Sequence, residues 1–140
     1  MMISRTALRT ATASRAAFVR PLAFSQVRFQ STTDGSTIKH LTNLHEFEAA
    51  MKADNLSLVD FFATWCGPCK AVAPHVQKLS EKYSNVKFYK VDVDESPDIA
   101  GAFGISSMPT FVLFKNGKGL GKVVGADPRG VEEAIKHFNK

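Results

Sequence analysis

The chain has few of the residues that build a disulfide-stapled or metal-centred protein. Its 140 residues include two cysteines, Cys66 and Cys69, and four scattered histidines. A disulfide scaffold needs more cysteines, spread along the chain, and a structural zinc site needs a second pair of ligands at metal-binding spacing. We therefore expect no metal and interpret the two neighbouring cysteines as a redox pair.

Long apolar runs are missing as well. No stretch approaches the roughly 20 apolar residues that a membrane-spanning helix needs, so we expect no membrane partner. The formal net charge is +5, but residues 31–140 carry 13 Lys+Arg and 13 Asp+Glu. This balance gives no compositional reason to expect nucleic acid as a partner.

Acidic residues are absent from the start of the chain. Residues 1–30 carry five arginines, and the first acid is Asp34. The longest apolar run there, residues 16–19, is too short for a secretory signal, whose core needs about 7–15 residues. A basic, acid-free, amphipathic leader is typical of mitochondrial targeting. We predict a transit peptide over residues 1–30, disordered or removed, with a mature start near Ser31 and a location in the mitochondrial matrix. A retained basic tail is the alternative.

Hydrophobic periodicity after the leader predicts one α/β domain over residues 31–140. Apolar runs favour strands, and apolar spacing of three and four favours helices. The order βαβαβαββα predicts a mixed sheet with helices on both faces. The predicted strands cover residues 38–41, 58–62, 86–91, 110–114 and 119–124, and the predicted helices cover residues 44–52, 66–83, 97–103 and 128–138.

The two cysteines lie where a buried strand is predicted to pass into a helix. Two intervening residues allow the sulfurs to meet in a small ring with little backbone movement. A helix N-terminus stabilises a thiolate at the first sulfur through its partial positive charge and unpaired N–H groups. We therefore expect Cys66 to be the exposed attacking thiol and Cys69, one turn further on, to be the resolving thiol.

Three residues around the cysteines shape this site. Gly67 and Pro68 restrain the turn, and Pro68 removes an N–H donor near the sulfurs, which favours a reductant over an oxidase. Trp65 offers a flat apolar surface for recognising a partner. A tryptophan is more often part of a core, but its position beside a reactive thiol favours recognition.

Asp60 is an acid within the apolar run of residues 58–63. A buried, unpaired carboxylate is costly, so its pKa should rise. The alternative is an aspartate at the end of a strand whose side chain reaches solvent.

The combined motifs resemble the thioredoxin family. They are Val59-Asp60-Phe61, Trp65-Cys66-Gly67-Pro68-Cys69-Lys70, Met108-Pro109-Thr110 and Val124-Gly125-Ala126. The resemblance covers roughly residues 37–140 and implies the thioredoxin fold, a central mixed β-sheet of four to five strands flanked by four helices. One departure is Phe62, where the family commonly has tryptophan.

The resemblance also implies roles for residues distant from the cysteines. Asp60 is expected behind the dithiol, where it accepts the Cys69 proton through water, with Lys90 near it. Pro109 matches the family's cis-proline, which would bring the Met108 backbone close to the sulfurs. Gly125 would let a substrate backbone approach.

The function that the resemblance implies is reduction of disulfides in target proteins. The expected partners are an NADPH-dependent thioredoxin reductase, peroxiredoxin and methionine sulfoxide reductase. The protein would be a monomer without a bound cofactor. Three alternatives are an oxidase or isomerase of the same fold, a scaffold subunit whose redox activity is incidental, and a dithiol with a structural role.

Overall fold

The structure is a computed structural model that describes residues 37–140. The predicted transit peptide and its cleavage point near Ser31 lie outside the described residues. Within residues 37–140, no helix is long and apolar enough to cross a membrane.

Residues 37–140 form five strands and four helices in the predicted order. They are β1 (Ile38–His40), α1 (Leu44–Met51), β2 (Ser57–Phe62), α2 (Gly67–Lys82), β3 (Lys87–Asp92), α3 (Pro97–Ala102), β4 (Thr110–Lys115), β5 (Lys118–Val124) and α4 (Pro128–Phe138). The predicted boundaries differ from these by at most one residue.

The strands form one mixed sheet in the order β1-β3-β2-β4-β5. β1, β3 and β2 run parallel, whereas β4 is antiparallel to β2 and β5 is antiparallel to β4. The C-terminal ends of the three parallel strands therefore lie at the same end of the sheet as the start of β4. Ligand and reaction sites in α/β proteins gather beyond the C-terminal ends of parallel strands.

Side chains at the helix starts explain where three of the helices begin. The Asn43 side chain accepts a hydrogen bond from the Glu46 N–H at 2.8 Å and caps α1. Asp127 caps α4 through the Gly130 N–H at 3.0 Å, and Pro128 follows it as the first helical residue. Cys66 caps α2. Each cap satisfies an N–H group that the helix itself leaves unpaired.

Apolar side chains cover both faces of the sheet. The first core lies between one face and helices α2 and α4, and its buried members include Leu58, Val76, Phe111 and Ile135. The second lies between the other face and helices α1 and α3, and its buried members include Phe47, Val59, Phe61 and Ile99. Because β2 is covered on both faces, its sequence is an almost continuous apolar run.

The hairpin between β4 and β5 follows from two residues with positive φ. Asn116 has φ 52° and Gly117 has φ 76°, the signs required at both central positions of the tight turn that suits twisted strands. The fold class and the element order predicted from the sequence are confirmed. The sheet has five strands, and α2 runs through Pro74 without a break.

Candidate active site

Cys66 and Cys69 form a disulfide bond at the first turn of α2. Cys66 is the residue before the helix, and its Sγ accepts a hydrogen bond from the Cys69 N–H at 3.2 Å. The predicted contact between a helix N-terminus and the first sulfur is therefore present. Such a donor favours a thiolate at Cys66 over a thiol.

The expectation that Cys66 is exposed is wrong for the disulfide form. Cys66 is 4% exposed and Cys69 is 5% exposed. The capping position turns the Cys66 side chain inward, towards the Cys69 N–H and sulfur. Ala63 is buried beside the pair, and the half-buried Phe62 and Met108 pack against it. The exposed residues at this turn are instead Gly67 and Pro68.

A second segment reaches the sulfurs from the start of β4. The Met108–Pro109 peptide bond is cis, as predicted, and Met108 packs against the disulfide. Gly125 donates its N–H to the Pro109 carbonyl oxygen at 2.8 Å. Gly125 has φ 97°, a conformation that glycine adopts far more readily than other residues. The structure thus brings Met108, Pro109 and Gly125 together on one side of the disulfide.

Trp65 lies on the surface beside the cysteines and is 68% exposed. Its indole Nε1–H donates a hydrogen bond to Asp94 Oδ2 at 2.8 Å. Asp94 follows β3 in a turn held by Asp92, whose Oδ1 accepts the Asp94 N–H at 2.9 Å. The bond orients an exposed apolar ring, which suits contact with a partner better than a place in the core.

Asp60 is buried behind the disulfide, 8% exposed, so the alternative of a solvent-reaching aspartate is wrong. No group of residues 37–140 donates a hydrogen bond to its Oδ1 atom. Burial raises the pKa of Asp60 from its ordinary value of 3.8 to about 7, and the positive charge of Lys90 opposes part of that rise. Lys90 is the register partner of Asp60 on β3.

A cleft of about 340 Å³ lies between Asp60 and Cys69, and both residues line it. Its lining includes Asp60, Cys69, Lys70 and Lys90, together with Phe62, Ala63, Thr64 and Ala73. A cleft of this size can hold several water molecules. An acid that titrates near neutrality, facing a cysteine across such a space, can exchange a proton with it through water.

Residues 37–140 place no three His, Cys, Asp or Glu side chains where they could hold a metal ion together. What the site offers is a disulfide, a buried carboxyl group behind it with a pKa of about 7, and an exposed tryptophan ring beside it. These are the parts of thiol–disulfide exchange.

The family model described as thioredoxin matches residues 38–137. The chain belongs to the thioredoxin family. It is a thiol-disulfide oxidoreductase, and it reduces disulfides in target proteins with the Cys66–Cys69 pair.

Similar proteins and solved structures agree with this assignment to the thioredoxin family. The chain is 50% identical over 118 residues to "Thioredoxin-3, mitochondrial" of Saccharomyces cerevisiae, which covers 84% of this chain and 90% of that protein. A crystal structure of the oxidised form of yeast mitochondrial thioredoxin 3 superposes with a TM-score of 0.70 at 50% identity, covering 73% of this chain and 96% of that one. The match to a mitochondrial relative supports the mitochondrial location predicted from the leader.

A further yeast structure matches equally well. It comes from a study of thiol resolving in the mitochondrial 1-Cys peroxiredoxin through glutathione and thioredoxin systems, and it has a TM-score of 0.70 at 50% identity. The match covers 72% of this chain and 95% of that one.

Two residues near the site were not predicted from the sequence. Asp94 holds Trp65 across 29 residues of chain, and the acidic turn at residues 92–95 was the signal that could have identified it. His40 lies against Phe62 with a ring separation of 5.9 Å. Its position depends on strand register, which periodicity alone does not supply.

Proposed function

We propose that Cys66 attacks the target disulfide and that Cys69 completes the exchange. The Cys66 thiolate forms a bond to one target sulfur, and the other target sulfur leaves as a thiolate that takes up a proton. The Cys69 thiolate then attacks Cys66 Sγ, forms the internal disulfide and releases the second target thiol. Two electrons pass from the cysteine pair to the target, whose two sulfurs take up two protons. One proton comes from Cys69 and the other from solvent, because Cys66 attacks as a thiolate.

Asp60 is proposed as the group that receives the Cys69 proton. The observation that supports this role is the cleft that Asp60 and Cys69 share, together with a carboxyl pKa of about 7. At neutral pH such a group is part protonated and part ionised, so it can take up a proton and return it. Lys90 supports the transfer by stabilising the ionised form.

The contact surface for targets is proposed to be formed by Trp65, Met108 and Gly125. An added Cβ at Gly125 would meet no heavy atom within 4 Å, so there is open space for a partner. An extended substrate segment can hydrogen-bond to the backbone beside the cis-proline, as peptides do at exposed strand edges. Gly67 and Pro68 form the exposed rim of the disulfide.

The electron donor is proposed to be an NADPH-dependent thioredoxin reductase, and the acceptors to include peroxiredoxin and methionine sulfoxide reductase. The yeast structure from the peroxiredoxin study supports the first acceptor. The protein is proposed to act as a monomer in the mitochondrial matrix. N-terminal sequencing of the protein from its source tests the location, since a start at residue 1 or 2 would rule out a removed transit peptide.

The decisive assay is insulin reduction by residues 31–140 with NADPH and thioredoxin reductase. We expect rapid precipitation of the insulin B chain, loss of that activity in Cys66→Ser, and accumulation of a mixed disulfide in Cys69→Ser. Ala71→Ser, on the exposed face of α2, is the matched control. Turnover of Cys69→Ser at the parental rate would refute the division of labour. Activity with dithiothreitol but not with the reductase would refute the proposed electron donor alone.

A further inference from the structure

His40 ends β1 on the face of the sheet that carries the redox cleft. It is the register partner of Lys90, which is in turn the register partner of Asp60. Directly paired residues project to the same face of a sheet. Since neighbouring strands lie about 4.8 Å apart, His40 lies roughly 10 Å from Asp60, with Lys90 between them.

The imidazole of His40 bridges two features of the site. Its ring packs at a tilt against Phe62, 5.9 Å between centroids, and Phe62 packs against the cysteine pair. On the other side, Nε2 lies 3.5 Å from Glu95 Oε2. His40 therefore contacts a side chain that touches the disulfide and has a carboxylate close enough to stabilise a positive charge.

The burial of His40 differs between its atoms. The side chain is 36% exposed, whereas Nε2 is buried and no group of residues 37–140 makes a hydrogen bond to it. The ring can therefore exchange a proton with solvent. The positive charge of the protonated ring is delocalised over both nitrogens, including the buried Nε2. Glu95 lies beside it in the turn after β3, and Asp92, the last residue of β3, accepts a hydrogen bond from the Glu95 N–H. Lys90 on β3 and Asp60 on β2 follow His40 in the strand register. Lys70 on α2 lines the same cleft as Lys90 and Asp60.

We propose that His40 is a positioning residue of the redox site, which couples the protonation of its imidazole to proton transfer at the dithiol. This inference rests on the proposed role of Asp60 as proton acceptor. His40 touches neither the substrate nor the sulfurs. When it is protonated, His40 adds a positive charge near Lys90 and Asp60, which follow it across the neighbouring strands. His40 also acts through its contact with Phe62.

The direction of the coupling follows from the signs of the charges. Protonated His40 pairs with Glu95 and stabilises the Asp60 carboxylate, which weakens Asp60 as a proton acceptor. Neutral His40 withdraws that stabilisation. A unit charge at about 10 Å in a medium of effective dielectric constant between about 20 and 80 shifts the apparent titration of its neighbour by about 0.3 to 1.2 pH units.

The test compares a neutral and a positively charged substitution in the full chain. The side chain at this position is always neutral in His40→Gln and always positive in His40→Arg. The pH profile of insulin reduction between pH 5 and 9 should show a lower inflection in the parent that both variants lack. The upper inflection should lie about 0.3 to 1.2 pH units lower in His40→Arg than in His40→Gln. His45→Gln, an exposed histidine on α1, is the control and should retain the parental profile.

Glu95→Gln provides a second variant that leaves β1 intact. It removes the carboxylate that lies 3.5 Å from Nε2, so its pH profile should differ from that of the parent. Profiles that coincide for parent, His40→Gln, His40→Arg and Glu95→Gln would overturn the inference. A loss of rate that is equal at every pH would also overturn it, because that result means packing alone.

The failure of this inference can be distinguished from failure of the proposed function. If Asp60→Asn leaves the upper inflection in place, Asp60 is not the proton acceptor, and the coupling proposed for His40 falls with it. If Asp60→Asn removes that inflection while the His40 variants keep the parental profile, the inference about His40 alone is wrong.

Discussion

Asp60 is the residue whose energetics are most directly tied to the chemistry. Its pKa is about 7 in the folded protein against an ordinary value of 3.8. The folded state therefore binds more protons than the unfolded state between those two values, and the stability that Asp60 contributes falls as pH rises from about 4 to 7. Above pH 7 the buried Asp60 is ionised, and the free energy of unfolding is lower by on the order of 4 kcal/mol than it would be with the carboxyl group protonated.

Replacement of this aspartate by its neutral isostere should separate stability from activity. We expect Asp60→Asn to raise the free energy of unfolding at pH 8 by up to about 4 kcal/mol and to change it little at pH 4. Disulfide reduction should become slower near neutrality, because the variant lacks the carboxyl group proposed to accept the Cys69 proton. Urea denaturation at both pH values and insulin reduction measure the two effects.

Asp54→Asn is the control for that experiment, since Asp54 is exposed. It should show neither the pH-dependent gain in stability nor the loss of rate. An Asp60→Asn protein with parental reduction kinetics from pH 6 to 8 would remove Asp60 from the mechanism.

Single residues differ in how far the sequence alone could predict their roles. Asp60 stood out because an acid inside an apolar run has few explanations. The cysteines stood out because their spacing and the predicted helix start agree. The Trp65–Asp94 hydrogen bond and the His40–Phe62 contact join residues distant in sequence, and periodicity along the chain does not show which distant residues meet.

At the scale of elements, the loop after β5 depends on one glycine conformation. Gly125 has φ 97° and donates its N–H to the Pro109 carbonyl oxygen. The loop is therefore attached to the segment that packs against the disulfide. A side chain here would find open space but an unfavourable backbone conformation.

Two glycine-to-alanine variants should respond in opposite directions. Gly125→Ala should destabilise the protein by about 1–2 kcal/mol, since a Cβ disfavours positive φ, and should weaken target reduction. Gly101→Ala lies within α3, where an added Cβ would meet nothing within 4 Å. It should stabilise the protein by up to about 1 kcal/mol. Thermal denaturation of both variants measures the signs, and stabilisation by Gly125→Ala would contradict this account of the loop.

The elements themselves were largely predictable, and their arrangement was less so. Caps such as Asn43 and Asp127 and the Asn116-Gly117 turn are local signals, so element order and boundaries could be predicted to within one residue. The order of strands in the sheet was not predicted, because periodicity does not say which strands pair. The inward orientation of Cys66 was missed, since the exposure expected for a nucleophile gave way to the capping geometry.

For the molecule as a whole, the fold brings one end of a mixed sheet together with one helix start. The parallel strands supply His40, Asp60 and the turn after β3 at one edge, and the start of β4 supplies Pro109. The core on each face fixes these positions. Residues 31–140 carry equal numbers of basic and acidic side chains, so the recognition proposed here depends on the apolar surface around the disulfide rather than on net charge.

Site-resolved alkylation of the reduced protein tests the central claim most directly. Reduced residues 31–140 would be treated with less than one equivalent of iodoacetamide at pH 7, and the labelled cysteine would be identified by peptide mass mapping. The account predicts label on Cys66, because the Cys69 N–H and the start of α2 stabilise its thiolate. Preferential label on Cys69, or no reaction at either cysteine until the protein is unfolded, would contradict it.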